Sequence, residues 1–207
     1  MSRDKTAVPN DSDEERILDV HDDERDPDYD VDILFELKPL LPSAFTQNWT
    51  QGLRVISLQA DNWNGLLARQ CSVVKLNMSK WGLQTSLAQL VPHFREMHSL
   101  ESLTLDENFE LTGSLVDLAP LVNLRVLSLS LSPQIDGSLS NLSGMTNLCA
   151  IFLEGTRVTG SLGDLGACQH LTVLALAHTE ITGSLDAVAP RLPELRWLLL
   201  SGTQVSG

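Results

Sequence analysis

Cysteine, basic side chains and long apolar runs are all scarce in this 207-residue chain. The three cysteines, Cys71, Cys149 and Cys168, are odd in number and widely spaced, so no disulfide framework is expected. No apolar run approaches the ~20 residues that a bilayer crossing needs, and no membrane contact is expected. Lys and Arg total 14 against 27 Asp and Glu; nucleic acid and anionic lipid are excluded as partners, because nothing offsets phosphate repulsion. The first residues, "MSRDKTAVPNDSDEERILDV", carry no apolar core of a secretory signal. A cytoplasmic or nuclear setting is therefore expected, in which the sequons at Asn10, Asn48, Asn77 and Asn141 carry little weight. A Gly-rich phosphate loop, a nucleophile-elbow serine and a Cys-x-x-Cys pair are also missing. The five histidines, His21, His93, His98, His170 and His178, have no partners at metal-ligand spacing. No catalytic residue, metal or cofactor is expected, and the chain reads as non-enzymatic.

What is present is unevenly placed. Residues 1–32 hold 13 acidic against four basic side chains, a net charge of −9, and residues 33–207 carry only −4. With only Ile17, Leu18 and Val20 as a small apolar cluster, residues 1–32 read as a disordered acidic tail. "DPDYDVD" (Asp26 to Asp32) lacks the glycine and glutamate of a calcium loop. Residues 33–52 read as a helical cap. Ile33, Leu34, Leu37, Leu40 and Leu41 lie at helix spacing, Pro39 and Pro42 break the helix, and Ser43 starts a second one.

Residues 53–207 repeat. Aligned units begin at Leu100, Leu124, Leu148, Leu171 and Leu195, with steps of 24, 24, 23 and 24 residues. They open "LESLTLDEN", "LRVLSLSLS", "LCAIFLEGT", "LTVLALAHT" and "LRWLLLSGT" and continue "LTGSL", "IDGSL", "VTGSL", "ITGSL" and an incomplete "VSG". Degenerate units over 53–99 are traced from Leu53 and Cys71. This pattern resembles the leucine-rich-repeat family, closest to its 24-residue plant-type class, with Ser-Leu where that class usually has Ile-Pro. The resemblance implies an α/β fold: a solenoid with a curved parallel β-sheet on its concave face and short helical or irregular convex segments.

In such a solenoid Leu103 and Leu105 alternate with Ser102, Thr104 and Asp106, as a strand with one buried face requires. The resemblance makes Asn108, Ser132, Thr156, Thr179 and Thr203 a structural ladder that hydrogen-bonds loop backbone inside the coil, and Gly113, Gly137, Gly160 and Gly183 the turn to the convex side. Three columns then face outward. The first is Val55, Val73, Ser102, Val126, Ala150, Val173 and Trp197. The second is Ser57, Lys75, Thr104, Ser128, Phe152, Ala175 and Leu199. The third is Gln59, Asn77, Asp106, Ser130, Glu154, Ala177 and Ser201. Val126, Ser128, Ala150, Phe152, Glu154, Val173, Ala175, Ala177, Trp197 and Leu199 form the expected partner site, because a contiguous exposed apolar patch marks a contact surface. The function expected is a protein-protein interaction module or scaffold, holding a protein or peptide ligand on the concave face. Self-association through an open C-terminal end would also cover it. Two alternatives stand beside this. "VDILFELKPLLP" before a repeat array resembles the first helix of an F-box, as in a ubiquitin-ligase substrate adaptor, without that motif's Trp-Arg pair. The plant-type repeat also fits the recognition part of a longer receptor-like or kinase protein.

Overall fold

The structure is a computed structural model that describes residues 33–34, 36–43, 66–69 and 72–207. The acidic tail, the unit beginning at Leu53 except its last strand Leu66–Arg69, and Val55, Ser57 and Gln59 of the concave columns lie outside the described residues. One seven-stranded sheet runs the length of the array. Its strands are β1 (Leu66–Arg69), β2 (Ser72–Asn77), β3 (Ser102–Thr104), β5 (Val126–Ser128), β7 (Ala150–Phe152), β9 (Val173–Ala175) and β11 (Trp197–Leu199), adjacent in that order. From β2 onward every pair is parallel, and each repeat contributes one strand.

The opening of the sheet departs from the repeat in two ways. β1 is antiparallel to β2, with a bulge between Leu67 and Ala68, so a hairpin covers the first parallel strand. Such an arrangement protects backbone donors and acceptors that an open edge would expose. The register of β2 also corrects the alignment on Cys71. Lys75 pairs with Ser102 and Asn77 with Thr104, which moves Lys75 to the first outward column and Asn77 to the second. Val73 is buried, not displayed. The reason is that Val73, Leu76 and Met78, all buried, carry the Leu-x-x-Leu-x-Leu spacing that Cys71 does not.

The return segments build the rest of each coil. β4 (Gly113–Ser114), β6 (Ile135–Ser138) and β8 (Arg157–Thr159) form a second parallel sheet, and β10 (Thr182–Ser184) pairs with β12 (Gln204–Ser206). Coils approach closely here. Gly137 has φ +106°, and a β-carbon on it would lie 2.5 Å from Ser114 Oγ and 2.8 Å from the Leu115 nitrogen. A residue with a side chain is excluded both by conformation and by the neighbouring coil. Each "Gly-Ser-Leu" then turns into a 3-10 segment, Leu115–Leu118, Leu139–Leu142 and Leu162–Leu165. Capping boxes start all three, with the Ser114, Ser138 and Ser161 backbone N–H donating to Asp117, Asn141 and Asp164, each at 3.0 Å. The first return is longer and forms α1 (Leu87–Glu96), and the fifth forms the single turn α2 (Leu185–Val188).

The core is continuous. Leu103, Leu127, Ile151 and Leu174 from the strands meet Leu111, Leu115 and Leu118 and their equivalents from the returns. Ile33, Leu34, Leu37 and Leu41 join the same cluster. They come from short helical turns that end in the 3-10 segment Lys38–Leu40, with Leu41 extended.

Candidate functional site

The ladder lies under the sheet. Asn108 is fully buried, donates from Nδ2 to the carbonyls of Met78 (3.0 Å) and Leu105 (2.8 Å), and accepts from the Leu83 N–H (3.2 Å). It thus joins two coils. Ser132 donates to the Leu105 carbonyl at 3.3 Å and accepts from the Asn108 N–H at 3.3 Å. Thr156, Thr179 and Thr203 reach only their own coil, donating to Leu153 (2.6 Å), Leu176 (2.6 Å) and Leu200 (2.7 Å). The hydroxyl arm is shorter than the carboxamide, so the ladder narrows to a single bond per coil along the array.

Above it, the strand register sets the outward residues side by side. Val126, Ala150, Val173 and Trp197 share one row, and Ser128, Phe152, Ala175 and Leu199 share the next. Trp197 is 68 % exposed and Leu199 50 %, while Val126, Ala150, Phe152 and Val173 are half-buried. Ser128 and Ala175, expected to be displayed, are covered, at 5 % and 1 % exposure. Ala175 is small and sits in register between Phe152 and Leu199. The result is an open cleft of about 380 Å³ lined by Phe152, Glu154, Val173, Ala175, Trp197 and Leu199. Ala177, two residues past the end of β9, is half-buried and does not line the cleft.

Toward the strand exits the chemistry turns acidic. Asp106 Oδ1 accepts from Ser128 Oγ (2.6 Å) and from the Ser130 N–H (2.8 Å), and Ser130 Oγ donates to Glu154 Oε2 (2.8 Å). Burial pushes the Asp106 carboxyl above its ordinary range. The bonds from Ser128 and Ser130 oppose that, and the nearby charges of Glu154 and Glu107 add to it. Glu107 pairs with Lys80 at 3.0 Å.

Sequence reasoning missed this network, since its members are 22 and 24 residues apart and meet only through the strand register. It also missed a column of left-handed residues just past the strands: Lys80, Glu107, Leu131, Gly155, His178 and Gly202, with φ between 56° and 73°. The glycines of "EGT" and "SGT" were its one visible sign. A second depression of about 690 Å³ lies at the strand starts, lined by His98, Asn123, Arg125, Asn147, Cys149 and His170 among others. The Asn123 and Asn147 amides there donate to the carbonyls of the preceding coil at 3.1 Å each. Burial raises the Cys168 thiol pKa, and that residue sits in the core. Among the described residues no group of three His, Cys, Asp or Glu could hold a metal ion.

No protein-family model matches the sequence, and no curated protein does. Solved structures do match. The fold is that of a leucine-rich-repeat protein of the plant type. It is similar to the BIR2 ectodomain from Arabidopsis thaliana (TM-score 0.64, 18 % identity, covering 86 % of this chain and 94 % of that one). It is also similar to the ectodomain of the Arabidopsis thaliana receptor kinase GASSHO1/SCHENGEN3 in complex with Casparian strip integrity factor 2 (TM-score 0.63, 25 % identity, covering 84 % of this chain and 21 % of that one). A third is the Arabidopsis receptor kinase HAESA with the peptide hormone IDA and the co-receptor SERK1 (TM-score 0.58, 21 % identity, 84 % and 33 % covered). These matches correct the cytoplasmic or nuclear setting expected above, because the matched folds are ectodomains. That expectation rested on the absence of an apolar run near Met1, and such an absence does not define a compartment.

Proposed function

We propose that this chain is a non-enzymatic protein-binding module that holds a protein or peptide partner on the concave face of its solenoid. The observation that carries the reading is the apolar cleft between Phe152 and Leu199, with Trp197 at its edge. A rigid sheet that presents an aromatic anchor beside a small residue is suited to receive a partner's side chain. Support comes from the GASSHO1/SCHENGEN3 and HAESA structures, which hold a protein or peptide ligand on the same fold. In this reading residues 33–52 cap the array, residues 53–207 form it, and the contact residues are Val126, Ala150, Phe152, Glu154, Val173, Ala177, Trp197 and Leu199. Ser128 and Ala175 shape the surface from below.

The experiment is affinity purification with mass spectrometry of the wild type beside Phe152→Asp/Trp197→Asp, with circular dichroism to confirm that the variant folds. Selective loss of a few partners is expected. An unchanged partner list would sink the site.

A second reading, the recognition part of a longer receptor-like protein, is favoured by the receptor-kinase ectodomains among the matches. Sequencing the transcript past codon 207 tests it, since an early stop excludes it. The ubiquitin-ligase reading is disfavoured, because Ile33, Leu34 and Leu37 of the F-box-like helix are buried in the solenoid core and cannot serve a linker protein at the same time.

A further inference from the structure

The cleft has an apolar floor and two apolar walls, but its border is not neutral. Glu154 lines it directly, and Asp106 is linked to Glu154 through Ser130. Ser130 Oγ engages only one of the two Glu154 carboxylate oxygens. Among the described residues no lysine or arginine forms an ion pair with Glu154 or Asp106, whereas Lys80 pairs with Glu107 and Arg125 with Glu101. Glu154 at this border and Asp106 two strands away past β3, held by hydroxyl and backbone donors and without a lysine or arginine partner, make a negative potential on that side of the cleft. A partner that neutralised them would gain in affinity and in rate of encounter.

The spacing sets a second condition. Neighbouring strands are ~4.8 Å apart, and Phe152 and Leu199 are separated by the single strand of Ala175. The opening between them therefore admits one large side chain. Glu154 lies two residues beyond Phe152, in the turn that follows β7, within reach of the residue next to such an anchor on an extended segment.

We propose that the occupant of this cleft is an extended peptide segment carrying one large apolar residue with a lysine or arginine beside it. The apolar side chain enters over Ala175, and the cation meets Glu154, with the Asp106 charge two strands away adding only at longer range. This rests on the concave-face reading above and adds the chemistry of the partner.

The test is selection from a random-peptide display library against the full 207-residue chain, with selected peptides titrated on the wild type, Glu154→Gln and Phe152→Asp. Thermal denaturation establishes that each variant is folded. Enriched peptides are expected to pair Lys or Arg with a large apolar residue and to lose ~10-fold or more in affinity on Phe152→Asp. On Glu154→Gln they should lose roughly 3- to 10-fold, together with most of their sensitivity to salt. Peptides lost on Phe152→Asp but showing no basic preference would overturn this inference and leave concave binding standing. Peptides indifferent to Phe152→Asp, or no enrichment at all, would overturn both. A wild type that sediments as a dimer, with Phe152→Asp monomeric, would assign the cleft to a second copy of the chain and overturn the proposal.

Discussion

In β2 and β3 the outward residues of the first two columns are Lys75, Asn77, Ser102 and Thr104; in β7, β9 and β11 they are Ala150, Phe152, Val173, Ala175, Trp197 and Leu199. Both halves continue one parallel sheet and bury the same kind of residue beneath it. Their frames do differ in the ladder, where Asn108 ties two coils together and Thr156 or Thr179 bonds only within its own. The half held by the stronger ladder shows a polar face, and the half held by single hydroxyl bonds shows the apolar one. A repeat solenoid allows this because each coil contacts only its neighbours, so frame and display vary independently.

That independence can be broken first through the frame. Gly137→Val places a branched side chain at φ +106° against Ser114 and Leu115, and is expected to lose about 3 kcal/mol or more in urea denaturation. Gly144→Ala, with open space around it, is expected to change stability by less than about 0.5 kcal/mol. Equal losses at the two positions would show that close coil contact is not what selects glycine.

Next in size is the ladder itself. Asn108→Ala leaves the Met78 carbonyl and the Leu83 N–H without their partner and the Leu105 carbonyl with Ser132 alone, and a loss of about 3 kcal/mol is expected, against about 1 kcal/mol for Thr156→Ala. Similar values for the two would remove the contrast between the halves. A gain is expected from Leu131→Gly, since Leu131 holds φ +58° and is half exposed; relief of about 1 kcal/mol should appear as a higher Tm. A fall in Tm would mean that the Leu131 side chain contributes packing that its exposure conceals.

Display residues should matter least to folding. Trp197→Ser is expected within about 0.5 kcal/mol of the wild type, and a larger loss would make the tryptophan part of the frame. Smallest is Asp106→Asn. Because burial raises this carboxyl in the folded chain, its ionised form is disfavoured there, and stability from this group grows as pH falls through the raised folded value. The Asp106→Asn variant should therefore melt no lower than the wild type at pH 7, with the difference closing in acid. A lower Tm at pH 7 would show that the bonds from Ser128 and Ser130 outweigh the burial.

The alternation of Leu103 and Leu105 with Ser102 and Thr104 settles which face of each strand is buried, because strand side chains alternate and water rejects the leucines. A period of 23 or 24 residues repeats that pattern from Leu100 to Leu200, so the sequence determined which residues share a row from β3 to β11, and its resemblance to leucine-rich repeats implied the parallel sheet. It failed at β2, where valine and methionine replace leucine and the alignment on Cys71 puts the core positions out of register. Tertiary structure alone decided the antiparallel hairpin before β2, the link from Asp106 to Glu154, and the covering of Ser128 and Ala175. The last two depend on how far a side chain reaches across to the next coil. That distance is set by the packing of whole coils, and no spacing within one repeat encodes it.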